Sequence, residues 1–335
     1  LTDDPILCIL VQIPAMQRSL LILVSAFTIL SCSRSNPVSP QPIPIIDSTP
    51  LLSPEYLVST YVTIPGPDVP EDVAVSPDGT IYVCGPLGSI WKIQPDSTPA
   101  LVTSLTGRTT ELAFDPKGNI YLLNFDSKSI IRVTPAGVVT TFAGGAHQLL
   151  DGQGTAAGFS ILLNDLVIDT TGTIYVADSN TIRKVDPSGL VTTLYRNTAP
   201  NSQISAITLD RAHNIYYATL NQIWRLDAAG TNSFIAGDGG QISKDGSGIA
   251  AGFQGIWALQ VDNNGNLIAG DFSEVRLITP SGVAGTIAGN VLAGYVDGPG
   301  NLARLRYVVG LAIDPRGAIL AADVANGRIR KIVHK

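Results

Sequence analysis

The chain has 335 residues, of which only 14% are charged, with 33 Gly, 22 Pro, one Met and three Cys. Amphipathic stretches rich in Leu, Glu and Lys are missing, which excludes a helical bundle or coiled coil, and three Cys make no disulfide framework. A net charge of −6 offers no basic face to a phosphate backbone, so nucleic acid is not an expected partner.

Residues 1–32 read as a targeting segment and not as part of a fold. A short basic stretch, Met16-Gln17-Arg18, precedes the twelve apolar or small residues Ser19–Leu30. That run is too short for a comfortable membrane span, which needs about 20 residues. The ending Ile29-Leu30-Ser31-Cys32 resembles the lipobox of bacterial lipoproteins, which implies lipidation of Cys32. Asp3, Asp4 and Pro5 interrupt the signal pattern upstream, so translation is expected to start at Met16 and residues 1–15 to be untranslated. Cys84 is then the sole thiol besides Cys32 in the mature chain. Residues 33–53 form a Pro-rich linker; six prolines fall between Pro37 and Pro54. Such a segment is a semi-rigid spacer that holds the domain behind it clear of a surface. The resulting expectation is a bacterial envelope location, lipid-anchored in the outer membrane and facing the periplasm, with membrane contact through the lipid only.

Residues 54–335 repeat one pattern six times. Each copy has a strand, a tight turn and a second strand, as in Val73–Val83, Leu112–Leu122, Leu166–Val176, Ile207–Tyr217, Leu259–Ala269 and Leu311–Ala321. The turns open on Ser76, Asp115, Asp169, Asp210, Asp262 and Asp314 and close on Gly, except for His213. Asp at the first corner and Gly at the last suit a tight turn. A third strand comes next, carrying Lys92, Arg132, Arg183, Arg225, Arg276 or Arg330, and then a turn and a fourth. The sixth copy lacks its fourth strand, and the orphan Tyr56–Val62 before the first copy can supply it. The expected fold is therefore all-β, a six-bladed β-propeller of four-stranded antiparallel blades whose N-terminal strand closes the last blade.

The string Asp169…Gly172…Ile174-Tyr-Val-Ala-Asp178…Ile182-Arg-Lys-Val-Asp-Pro-Ser-Gly-Leu-Val-Thr-Thr-Leu194 closely resembles the NHL repeat, and the resemblance covers about residues 54–333. It implies a ring of blades with first strands lining a central channel, and more often a binding role than catalysis.

Long connections between blades occur on one face and share a motif: Asp151–Phe159, Asp245–Phe253 and Asp297–Leu305. With Asp126, Asp178, Asn180, Asp271, Asp323 and Asn326 from neighbouring loops, they make the candidate ligand-binding face, open to a protein or a glycan. The same motif also suits a structural excursion with its Phe plugged between blades, and Asp and Asn are default turn formers. Four residues before each turn anchor stand Asp72, Glu111, Asp165, Ala206, Ala258 and Gly310. Three carboxylates at one channel mouth would favour a cation, and all-oxygen ligands favour Ca²⁺, with Asn164 as a further donor. They equally suit capping of backbone amides. The strand basic residues are expected to pair with turn carboxylates.

Related six-bladed enzymes include Ca²⁺-dependent lactonase-like hydrolases and a Zn²⁺ amidating lyase. The lyase needs clustered histidines, and only His147, His213 and His334 are present. No Gly-x-Ser-x-Gly elbow or Cys/His pair supports a nucleophile. The sequence therefore points to a monomeric, non-catalytic binding propeller without catalytic residues, with a Ca²⁺-dependent hydrolase using Asp72, Glu111 and Asp165 as the alternative.

Overall fold

The computed structural model describes residues 55–199 and 203–335. Residues 1–54, with Cys32 and the Pro-rich linker, lie outside the described residues. Among the described residues no helix is long and apolar enough to cross a membrane.

Six antiparallel sheets form the blades, their strands a to d running outwards from the channel. Blade 1 takes Asp72–Val75, Ile81–Cys84, Ser89–Ile93 and Pro99–Ser104; blade 2 takes Thr109–Phe114, Ile120–Asn124, Ser129–Val133 and Val139–Gly144. Blade 3 is Leu163–Ile168, Ile174–Asp178, Thr181–Val185 and Leu190–Arg196, and blade 4 is Ile204–Leu209, Ile215–Thr219, Gln222–Leu226 and Asn232–Ala236. Blade 5 is Ile256–Val261, Leu267–Asp271, Glu274–Ile278 and Val283–Gly289. Blade 6 has Val308–Ile313, Ile319–Asp323 and Arg328–His334 from the C-terminus, and its strand d is Tyr56–Thr63 from the start of the fold. Tyr56 lies opposite His334 and Thr63 opposite Arg328, so the ring closes by pairing the first and last strands of the described residues.

The a–b corners explain the repeated Asp. In blade 2 the Asp115 side chain accepts from the N–H groups of Lys117 and Asn119, both at 2.9 Å, and the Gly118 N–H donates to the Asp115 carbonyl. His213 fills the glycine position at φ = 61°, the left-handed region that His tolerates better than most side chains.

Alternation along the strands buries apolar residues between neighbouring sheets. Leu123, Ile130 and Ala143 of blade 2 pack on Leu163, Ile174 and Val176 of blade 3, all at most 2% exposed. The low charge of the chain follows from this face-to-face stacking.

Three blades depart from the four-stranded expectation. Gly152–Gln153, Gly246–Ser247 and Gly298–Pro299 each add a short fifth strand outside strand d of blades 3, 5 and 6. The long connections thus leave the face of the b–c and d–a loops, here the upper face, and run down the outer edge. At the bottom Gly154 N–H bonds the carbonyl of Gly189, and Gly248 that of Gly282. They return between blades, where Phe159, Phe253 and Leu305 are fully buried. Each excursion covers an otherwise open sheet edge.

Candidate functional site

The first strands bring Asp72, Glu111 and Asp165 into one central cavity of about 250 Å³, beside Ala258 and Gly310. Each aspartate reaches across to the next blade. The Leu112 N–H donates to Asp72 Oδ2 at 3.1 Å, and the Ile207 N–H to Asp165 Oδ2 at 2.7 Å. Gly310 is glycine because a Cβ there would meet the Asp72 carboxylate. Burial pushes the Asp72 carboxyl up to about 7 and raises Asp165 well above the carboxylate range. Glu111 is raised by burial and then by the charges of Asp72 and Asp165, and it shares a hydrogen bond with Asp72. One oxygen of Asp72 and one of Asp165 already serve backbone amides, and three carboxylates fall short of the six to eight oxygens that Ca²⁺ takes unless water or backbone supplies the rest. Among the described residues no group of three or more His, Cys, Asp or Glu side chains is placed to hold a metal. The expected carboxylates are brought together, and two of them bridge neighbouring inner strands.

One residue further up each first strand lies a second ring: Glu71, Thr110, Asn164, Ser205, Trp257 and Val309. All six blades contribute to it. In a regular strand these residues would point away from the channel if their neighbours point in. A bulge solves this, because the pairing register skips Thr110, Asn164, Ser205, Trp257 and Val309. A β-bulge re-aims the extra side chain. With Arg108, Phe125 and Tyr307 the ring encloses a mouth of about 150 Å³ on the upper face. Phe125 stands on blade 2, and Trp257 and Phe272 stand on blade 5, directly across a six-membered ring. Tyr307 packs edge-on against Phe272 at 5.4 Å and lies 6.3 Å from Trp257. Arg108 pairs with Glu71 at 3.0 Å. The Lys128 ammonium sits 3.3 Å from the Phe125 ring centre and donates to the Ile161 carbonyl, and burial lowers its pKa. Of this ring the sequence pointed to Asn164 alone; the same six-fold alignment, shifted by one, contains the other five.

The loop residues expected to face a ligand are tied into the scaffold. Arg183, Arg276 and Arg330 are fully buried, and each joins two aspartates. Arg183 holds Asp178 at 3.0 Å and Asp151 at 2.8 Å; Arg276 holds Asp271 and Asp245, both at 2.9 Å. Arg330 holds Asp323 at 2.8 Å and also pairs with Asp297. The aspartates at the ends of strands b, Asp178, Asp271 and Asp323, are fully buried and accept from the N–H groups of Ser160, Gly255 and Arg306. Asp151, Asp245 and Asp297 accept from the N–H groups of Thr193, Thr286 and Thr60 on strands d. Each clamp therefore fastens an edge excursion to its blade. Three of the six strand-c basic residues make the expected carboxylate pairs in this way. Asp126 accepts from Arg108 N–H, Asn180 donates to Asn197 and Asn326 to Gly294 and Asp323. Of these three, only Asp126 is exposed.

Residues 59–93, most of the closing strand and strands a to c of the first blade, match the model of a family described as strictosidine synthase-like, N-terminal. Teneurin-3 of Danio rerio is 26% identical over 332 residues, which cover 79% of this chain and 12% of that protein. The chain thus spans a small part of this curated relative. An auxiliary nutrient binding protein from Bacteroides thetaiotaomicron superposes with a TM-score of 0.68 at 18% identity, covering 84% of this chain and 77% of that one. A gluconolactonase of Xanthomonas campestris superposes with a TM-score of 0.58 at 11% identity, covering 82% and 88%. At these identities the likeness shows the fold alone, a six-bladed propeller.

Proposed function

We propose that the protein is a non-catalytic binding propeller of a bacterial cell envelope that presents its upper face to a protein or glycan. The observation that carries this reading is the mouth, where six blades each deliver one side chain around an aromatic-walled opening. The nutrient-binding neighbour with the same fold supports it. Lipid on Cys32 and the linker at residues 33–53 would hold the domain clear of the outer membrane on its periplasmic side. Pull-down from solubilised envelope, followed by competition with glycan fragments, tests the reading. Wild type should retain a partner that a Trp257→Ala, Asn164→Ala double variant releases; equal retention by both would overturn it.

A second reading, a Ca²⁺-dependent hydrolase of lactonase type, draws support from the gluconolactonase-like fold and the channel carboxyls. Its weakness is the donor set, two of whose oxygens are committed to the Leu112 and Ile207 amides. Lactone hydrolysis that depends on millimolar Ca²⁺ and is lost in Asp165→Ala would favour it.

A further inference from the structure

The charged and neutral polar groups of the mouth differ in what is left for a ligand. Its charged groups are engaged: Arg108 with Glu71, Lys128 with the Ile161 carbonyl and the Phe125 ring, and Glu111 with Asp72. Its unspent hydrogen-bonding capacity is neutral. The Trp257 indole N–H, the Tyr307 hydroxyl and the Asn164 side-chain oxygen have no partner among the described residues, and Thr110 Oγ1 is buried without one. Asn164 uses its amide N–H on the Ile204 carbonyl at 2.6 Å, which fixes the direction of its free oxygen. Both donors and acceptors are thus offered, around aromatic faces on opposite sides of the opening.

One aromatic residue is held there at a conformational cost. Tyr307 has φ = 71°, a region in which bulky residues are outliers, whereas Phe272, at φ = 54°, stands in the b–c turn where Ser179 of blade 3 has φ = 57°. Such strain concentrates where a side chain is needed in a fixed place. Tyr307 nevertheless stays 36% exposed, so burial of its own ring does not account for its position. The mouth is also too narrow for a flat protein patch, which takes about 800 Å² per partner.

Resting on the binding reading above, we propose that the mouth holds one ring of a neutral saccharide. Trp257 and Tyr307 stack on an apolar C–H face of the sugar, with Phe125 on the far wall. Asn164, the Trp257 N–H and the Tyr307 hydroxyl bond its hydroxyls, each of which is both donor and acceptor. Trp and Tyr suit this task because one part of each is apolar and the other is wet. Arg108 and Glu71 neutralise each other at this level, and Glu111, the other acid of the lining, shares a hydrogen bond with Asp72 below it.

The test is a neutral and acidic glycan array with the full mature chain, followed by calorimetry with maltose, cellobiose, lactose and xylobiose. Glucuronate and benzyltrimethylammonium serve as charged probes. At least one neutral saccharide should bind saturably. Trp257→Ala and Tyr307→Ala should each weaken it about tenfold, the loss of one stacking contact. Trp257→Phe should recover most of the affinity, and melting curves should show all three variants folded. Binding of no neutral saccharide, or tighter binding of either charged probe, would overturn the saccharide assignment while the envelope pull-down decides the binding reading separately. Saccharide binding unchanged in both alanine variants would refute the mouth as the subsite and leave a binding propeller with its site elsewhere.

Discussion

Replacing Asp72 by Asn should stabilise the protein above neutrality and flatten its dependence on pH. Asp72 is 6% exposed, and burial moves its carboxyl from 3.8 to about 7. A raised acid means that the native state keeps a proton the unfolded chain has released. Stability contributed by that proton is full below about pH 4 and falls as pH rises through 7. The slope approaches ~1.36 kcal/mol per pH unit midway and halves at the folded pKa, so the fall from pH 5 to 7 is about 2 kcal/mol. For a domain of this size that is roughly 4–8 °C in melting temperature. Glu111 and Asp165, raised in the same cavity, act in the same direction, as does Glu71 at its rim, where burial outweighs the opposing Arg108. Asp151, Asp169 and Asp297 are lowered and act oppositely, but their contribution is lost only as pH falls below about 4. Asn keeps an oxygen for the Leu112 N–H and removes the titration. Calorimetric melts of wild type, Asp72→Asn and Glu111→Gln from pH 5 to 8 check this. A wild-type curve that is flat or rises over that range, or variants with an unchanged slope, would refute the reasoning.

Arg276→Met should cost about 3–5 kcal/mol, because it strands the buried Asp271 charge. Denaturant unfolding should show most of that loss recovered when Asp271→Asn is added. Phe253→Ala removes a fully buried ring between blades and should cost about 3–5 kcal/mol by the same assay. Gly310→Ala drives a Cβ into the Asp72 carboxylate and should lower the melting temperature, with partial relief in Asp72→Ala. Labelled palmitate should enter the wild-type precursor in a bacterial host and fail to enter Cys32→Ser.

What the sequence made legible was whatever repeats locally. The a–b corners, the number of blades and the closing strand at Tyr56–Thr63 all follow from patterns within one copy of the repeat. The edge strands did not. Gly152–Gln153 pairs with Leu190–Val191, almost forty residues on, and has no hydrophobic periodicity of its own. Asp151, Asp245 and Asp297 were visible as a motif, but their attachment to Arg183, Arg276 and Arg330 depends on how the excursion folds back over the blade. The carboxyl ring was found by aligning strand starts, with Asn164 as its neighbour, whereas Trp257 escaped because period-two alternation assigns it to the opposite side. The bulge that overturns this assignment is a property of pairing and leaves no mark in the residue types.

Hydrogen–deuterium exchange of the mature chain, with and without a saturating saccharide from the array, tests the central claim most directly. Protection at the strand starts near Glu71, Thr110, Asn164, Ser205, Trp257 and Val309 is the predicted result. Protection confined to the outer excursions at 146–161, 240–253 and 292–305, with the mouth unchanged, would contradict it.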